Sequence, residues 1–176
     1  MKQKLQGRTW KLLTGVILLI LGVVLIVACS KDSAPQEVGT VPTTVVAPSD
    51  PNGEGVRPDV RAYIETTYPN SAKTRAALFQ YAKVTELALA DANNKQLSIQ
   101  HATEVDRANT CLWYVRDLTD DARSISRALM LVILNTDGRN KAYITYNEQL
   151  GGEIFPGIPY DQRASACSIN PATLPN

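Results

Sequence analysis

Apolar residues are spaced in three ways along the 176-residue chain, and each spacing predicts a different kind of structure. Residues 12–28 are apolar almost without a break. Residues 30–57 show no period, and Pro35, Pro42, Pro48 and Pro51 are interspersed with Gly39, Gly53, Gly55 and several Ser and Thr. A segment of that composition buries too little apolar area to offset its ordering entropy, so it reads as a tether. Its ends would sit roughly 30 Å apart as a coil, and fully stretched it would reach about 90–100 Å.

From Pro58 onward apolar positions recur every three or four residues, the helical period. Pro58 suits the first turn of a helix, where a missing N–H costs nothing. Val60, Tyr63, Ile64 and Tyr68 then share a face, and Pro69-Asn70 ends the element. Ser71 is a good N-cap for a second helix over 71–91, with Ala77, Leu78, Tyr81, Val84, Leu87 and Ala88 as its buried stripe. Asn93-Asn94 breaks the pattern, and a third helix over 95–116 places Ala102, Val105, Ala108, Leu112 and Val115 on one face. Thr119-Asp120-Asp121 has the hydroxyl and negative charge that suit a helix N-terminus. Ala122, Ile125, Leu129, Val132 and Ile133 follow at helical spacing, and the all-round apolar stretch 128–134 predicts a helix central in the fold.

Asp137-Gly138 leaves two readings. As a hairpin turn it would pair 128–134 with 142–146 as strands, giving an α+β domain with a hairpin at about 128–146. As a helix start, Thr136 caps an element running to Leu150, with Ala142, Tyr143, Tyr146 and Leu150 on one face and Gly151 as the left-handed residue that ends it. Caps at both ends favour the helix. The predicted fold class is therefore all-α: a bundle of about five helices over 58–152, followed by an irregular Gly- and Pro-rich tail over 153–176.

The first segment carries the most specific motif. Lys2, Lys4, Arg8 and Lys11 precede the apolar run with no acid among them, and the run ends in Ile26-Val27-Ala28-Cys29. A basic head, an apolar stretch and a small residue at the cut form a secretory signal. With a cysteine directly after the small residue, it resembles the lipobox of bacterial lipoprotein precursors. That resemblance implies cleavage between Ala28 and Cys29 and lipid attachment at Cys29, with 1–28 as signal and 29–57 as lipidated cysteine and linker. It also implies a cell-envelope location facing away from the cytoplasm. Ser30, rather than an aspartate, after the cysteine implies outer-membrane sorting in a two-membrane cell. The competing reading is an uncleaved single-pass helix over 12–28, since about 17 apolar residues is the lower limit for crossing a bilayer.

Charge narrows the partners. Four of the 18 basic residues lie in the head, so the part beyond Ala28 has 14 basic against 17 acidic residues. This mildly acidic domain has no basic stripe for nucleic acid. With Cys29 assigned to lipid, Cys111 and Cys167 are an even pair in an oxidising compartment, which predicts one disulfide pinning the tail across the third helix.

No catalytic set is legible. His101 is the only histidine, three residues before Glu104 on a helix, and it reads as an exposed surface residue. It leaves no ligand set for zinc, and no cofactor motif is present. Acid pairs such as Glu148 with Glu153 or Asp120 with Asp121 fall at predicted helix ends, where capping and solvation account for them. Trp113, Tyr114, Tyr143 and Tyr146, with Phe155 and Tyr160 from the tail, form the candidate partner patch, because aromatics dominate binding hot spots. The sequence thus leans to a non-enzymatic, membrane-tethered envelope protein with an assembly or docking role. The rival is a small hydrolase acting on cell-wall polymer.

Overall fold

Side-chain caps open three of the helices. The computed structural model describes residues 55–117, 119 and 121–175. Among these there are five α-helices and no strand: α1 (Pro58–Thr67), α2 (Ala72–Ala90), α3 (Lys95–Val115), α4 (Asp121–Ile133) and α5 (Asp137–Gln149). The Ser71 hydroxyl accepts from the Thr74 N–H at the start of α2, and Asn94 accepts from Leu97 N–H at the start of α3. Thr136 accepts from Arg139 N–H and opens α5 as a helix, so the hairpin alternative is excluded. The left-handed residue after α5 is Gly152, at φ 84°, one position beyond the expected Gly151. Leu150 itself continues in helical geometry, which moves the chain reversal along by one.

The result is a small all-α bundle. Its centre is α2, which packs against all four other α-helices. Leu78, Ala82 and Leu89 on α2, Ala108 and Leu112 on α3, Leu129 and Ile133 on α4, and Val60 and Ile64 on α1 are fully enclosed. The expectation that 121–133 would be central is corrected by Leu131, which is 78% exposed. The all-round apolar stretch there is a one-sided helix with an apolar residue left in water, which costs little. Leu87 on α2 is likewise turned outward, while Thr85 and Glu86 are buried beside it.

The domain begins before Pro58. Val56 is buried in the core, and Arg57 is engaged with three other elements, so these two residues, expected in the linker, belong to the folded domain. Arg57 donates to the carbonyls of Val132 and Ile133, at 3.2 and 3.1 Å. Arg139, in the first turn of α5, donates to the same Ile133 carbonyl and to Glu86. Two guanidinium groups therefore close the C-terminus of α4, where the helix dipole favours positive charge. Glu86, with only 2% of its side chain exposed, sits between them, 3.8 Å from Arg57 and hydrogen-bonded to Arg139. Asp59 completes the cluster from α1, and its bond with Arg57 holds its carboxyl below the usual carboxylate range.

The tail is more ordered than its composition predicts. Residues Tyr160–Ala166 and Pro171–Thr173 form 3-10 turns. A disulfide joins Cys111 on α3 to Cys167, as the cysteine count predicts. Gln80 on α2 adds a two-way clamp, donating to the Ala166 carbonyl and accepting from the Ser168 N–H, both at 2.9 Å. Further on, the Pro175 carbonyl accepts from Ala72 N–H, one of the donors that the first turn of α2 cannot satisfy internally.

Candidate functional site

Four helices line one concave site, with Met130 the contribution of α4. α2 contributes Tyr81 and Thr85, α3 contributes Asp106 and Asn109, and α5 contributes Tyr143, Tyr146 and Asn147, with Phe155 closing one side. The helical period explains the grouping. Tyr143 and Tyr146 are three residues apart on α5, so they share a face, and their rings lie 6.2 Å apart at an interplanar angle of 29°. Tyr81 is buried on the facing surface of α2, and Asn109 of α3 lines the same cleft. The cleft holds about 280 Å³. That is just under the range of about 300–1,000 Å³ typical of small-molecule pockets, and it suits an inserted side chain better than a drug-sized ligand.

The electrostatics of the cleft are simple. Burial pushes the Tyr81 phenol up to about 12, assisted by Tyr143 and Tyr146 and partly opposed by Asn109. Burial likewise raises Tyr146 to about 12, with Tyr143 adding to it. Both hydroxyls therefore stay protonated at neutral pH, as neutral groups that can donate and accept. Asp106 is the one charged residue in the lining among the described residues. A neutral or singly cationic group fits such a cleft, and an anion does not.

The predicted site residues divide into those that meet here and those that do not. Tyr143, Tyr146 and Phe155 come together. Trp113 and Tyr114, although on α3, do not line the cleft. Trp113 is half-buried under the Arg123 guanidinium, 5.9 Å from the ring centre, and Tyr114 is exposed. Tyr160 is exposed too, with Arg163 4.5 Å over its ring. The expected gathering of all six aromatics is thus corrected: α3 turns its aromatic pair away from the face that carries Asp106 and Asn109. Tyr81, expected only as core, is the residue whose part in the site the sequence did not show. A helical-wheel overlay of α2 and α5 could not have found it without knowing that the two helices are neighbours.

His101 is corrected as well. It is buried, and its Nε2 lies 2.8 Å from Asp91 Oδ2 rather than beside Glu104. The pair ties α3 to the residue that ends α2. Of the acid pairs, Asp121 bonds with Arg116 and Thr119, and Glu153 lies 3.2 Å from Lys95. The Arg116 bond, helped by Thr119, holds the Asp121 carboxyl below the usual range. Asp120 lies outside the described residues. Among the described residues no three His, Cys, Asp or Glu side chains converge to hold a metal ion.

Ala28 and Cys29, the expected cleavage and lipid-attachment positions, and the whole of 1–54 lie outside the described residues. No helix among the described residues is long and apolar enough to cross a membrane. The chain matches no family model, no curated protein and no solved structure.

Proposed function

We propose that this chain is a lipid-anchored protein of the bacterial cell envelope whose helical domain docks a protein partner through the tyrosine cleft. The Ile26-Val27-Ala28-Cys29 motif behind a basic head and an apolar run supports the anchor. The Pro- and Gly-rich composition ahead of the domain supports a tether that would let the domain reach a partner away from the membrane surface. The observation that carries the docking reading is the cleft itself. It is an apolar recess the size of one or two side chains, rimmed by tyrosine hydroxyls and side-chain amides. Tyrosines in such a setting supply large contact area at low entropic cost and dominate binding energy. The domain acts by binding, without chemistry of its own.

A photo-crosslinking residue placed at Asn147 in the full chain, expressed in envelope membranes, tests this. A discrete adduct is expected, and a Tyr143→Ala change in the same chain should remove it. Adducts of equal yield from a probe at Asp161, outside the cleft, would refute the docking role. The rival anchor, an uncleaved helix over 12–28, places the same domain on the same side of the membrane. It differs only in the mature N-terminus, where an intact mass separates the two.

A further inference from the structure

A second concavity, of about 420 Å³, lies against the outer face of α2. Its floor is apolar, from Phe79 of α2 and from Ile169 and Leu174 of the tail. Its rim is cationic, from Arg61 of α1 and Arg75 and Lys83 of α2, and among the described residues no acid lines it. The wall supplied by the tail is held in place by the Cys111–Cys167 disulfide and the Gln80 clamp.

Arg75 is held by neutral groups, which position its charge without cancelling it. The Arg75 guanidinium is anchored by the Tyr68 and Pro69 carbonyls, at 2.7 and 2.6 Å, which fix its direction and leave its charge. Arg61 lies 5.2 Å over the Phe79 ring and pairs with Glu65, 3.7 Å away on the exposed side of α1. Lys83 is exposed, and its stem fills the space that a side chain at Gly55 would take; Gly55 adopts φ 76°, where lacking a Cβ is an advantage. An apolar trough with Arg75 and Lys83 at its mouth is complementary to a molecule with an apolar body and an anionic head. The volume falls within the usual range of about 300–1,000 Å³ for small-molecule sites.

We propose that this groove binds a free single-chain anionic amphiphile, with the chain along Phe79, Ile169 and Leu174 and a carboxylate or phosphate head at Arg75 and Lys83. The site is separate from the tyrosine cleft, whose lining carries the opposite charge, and it stands whether or not the cleft docks a protein.

The test uses the full chain in its membrane, with a diazirine-bearing fatty acid as probe and peptide mapping of the adducts. Labelling is expected on the peptides that hold Phe79 and on those spanning 168–174. Lys83→Glu should cut it by about tenfold, the effect of a single well-placed charge, while Lys83→Arg retains it. Lys83 is exposed and stands outside the buried core, so neither change removes a core side chain. The alcohol of the same chain length should label weakly. Equal labelling by acid and alcohol would overturn the proposal, as would indifference to Lys83→Glu, or labelling confined to residues outside the groove.

Discussion

Arg57 duplicates both of the contacts that Arg139 makes, and this produces an asymmetry that mutation can expose. Glu86 on α2 bonds with Arg139 and lies 3.8 Å from Arg57, and both arginines donate to the Ile133 carbonyl. Removing one partner of a buried ion pair costs about 3–5 kcal/mol, because the other charge is left in a low-dielectric interior. Glu86→Leu leaves two guanidinium groups facing each other, with only the surface carboxylate of Asp59 to offset them. It should cost near the top of that range. Arg139→Met leaves Glu86 with Arg57, and leaves the Ile133 carbonyl with a donor. Its cost should fall near about 3 kcal/mol or slightly below. Replacing both residues by apolar ones removes the charge with its counterpart, so the double variant should be more stable than Glu86→Leu alone. The coupling between the two sites should be about 2 kcal/mol. Urea unfolding of the unit Pro42–Asn176, followed by far-ultraviolet circular dichroism, gives all four corners of the cycle. For a domain of this size each kcal/mol is about 3–5 °C in Tm, so the single changes are also visible by heating. Single variants within about 1 kcal/mol of wild type, or a double variant that costs the sum of both, would refute the network as described.

The one-sidedness of α4 predicts that Leu129→Ala costs about 2–5 kcal/mol, while Leu131→Ala stays within about 0.5 kcal/mol of wild type; equal costs in urea melts would return α4 to the centre of the fold. Replacing Cys111 and Cys167 by serine opens a loop with a sequence separation of 56. The chain-entropy relation puts the cost at about 4 kcal/mol, and limited proteolysis should then cut within 160–174 first. Acid should weaken the domain through Asp59 and Asp121, whose carboxyls are held down in the fold by Arg57 and Arg116. A depressed folded value means stability present above the ordinary carboxylate range and lost as pH falls through the folded one, so Asp59→Asn should flatten the acid limb of a Tm-against-pH profile. At the alkaline end the sign reverses. Tyr81 and Tyr146 are raised to about 12 in the fold, so stability present at neutral pH is lost as pH rises from the ordinary phenol value through about 12. Alkaline titration of wild type beside Tyr81→Phe and Tyr146→Phe checks this: the tyrosinate absorbance missing from each variant should be the part that appears only with unfolding, and two phenols at those positions titrating freely in the folded chain would contradict it.

Most of the helical scaffold was legible because its signals are local. Pro58, Ser71 and Thr136 announce helix starts within a turn of where they act, and the spacing of Tyr143 and Tyr146 defines a face without reference to anything else. The disulfide was legible because the even pair had no other role. The buried cluster was not, because its members are distant in sequence. Glu86 and Arg139 are 53 residues apart, and Arg57 reaches a carbonyl 76 residues away. Read along the chain, Glu86 only interrupts an apolar stripe. The same reasoning accounts for His101, whose partner Asp91 lies ten residues back around a turn, not one helical turn ahead. Leu87 and Leu131 misled in the opposite direction: Leu87 shares the period of a buried stripe yet faces water, and Leu131 belongs to an all-round apolar stretch of which only one side is covered. The cleft was half legible. Its α5 edge is a local pair, whereas Tyr81 joins it only because α2 and α5 pack together.

Whether this domain is held to a membrane by fatty chains on sulfur is decided by the intact mass of the full-length product extracted from membranes, measured for wild type beside Cys29→Ala. The lipobox reading predicts a wild-type chain that starts at Cys29 and carries acyl mass, and a variant that keeps Met1 and gains none. A wild-type product that still begins at Met1, with an unmodified thiol at Cys29, would contradict it.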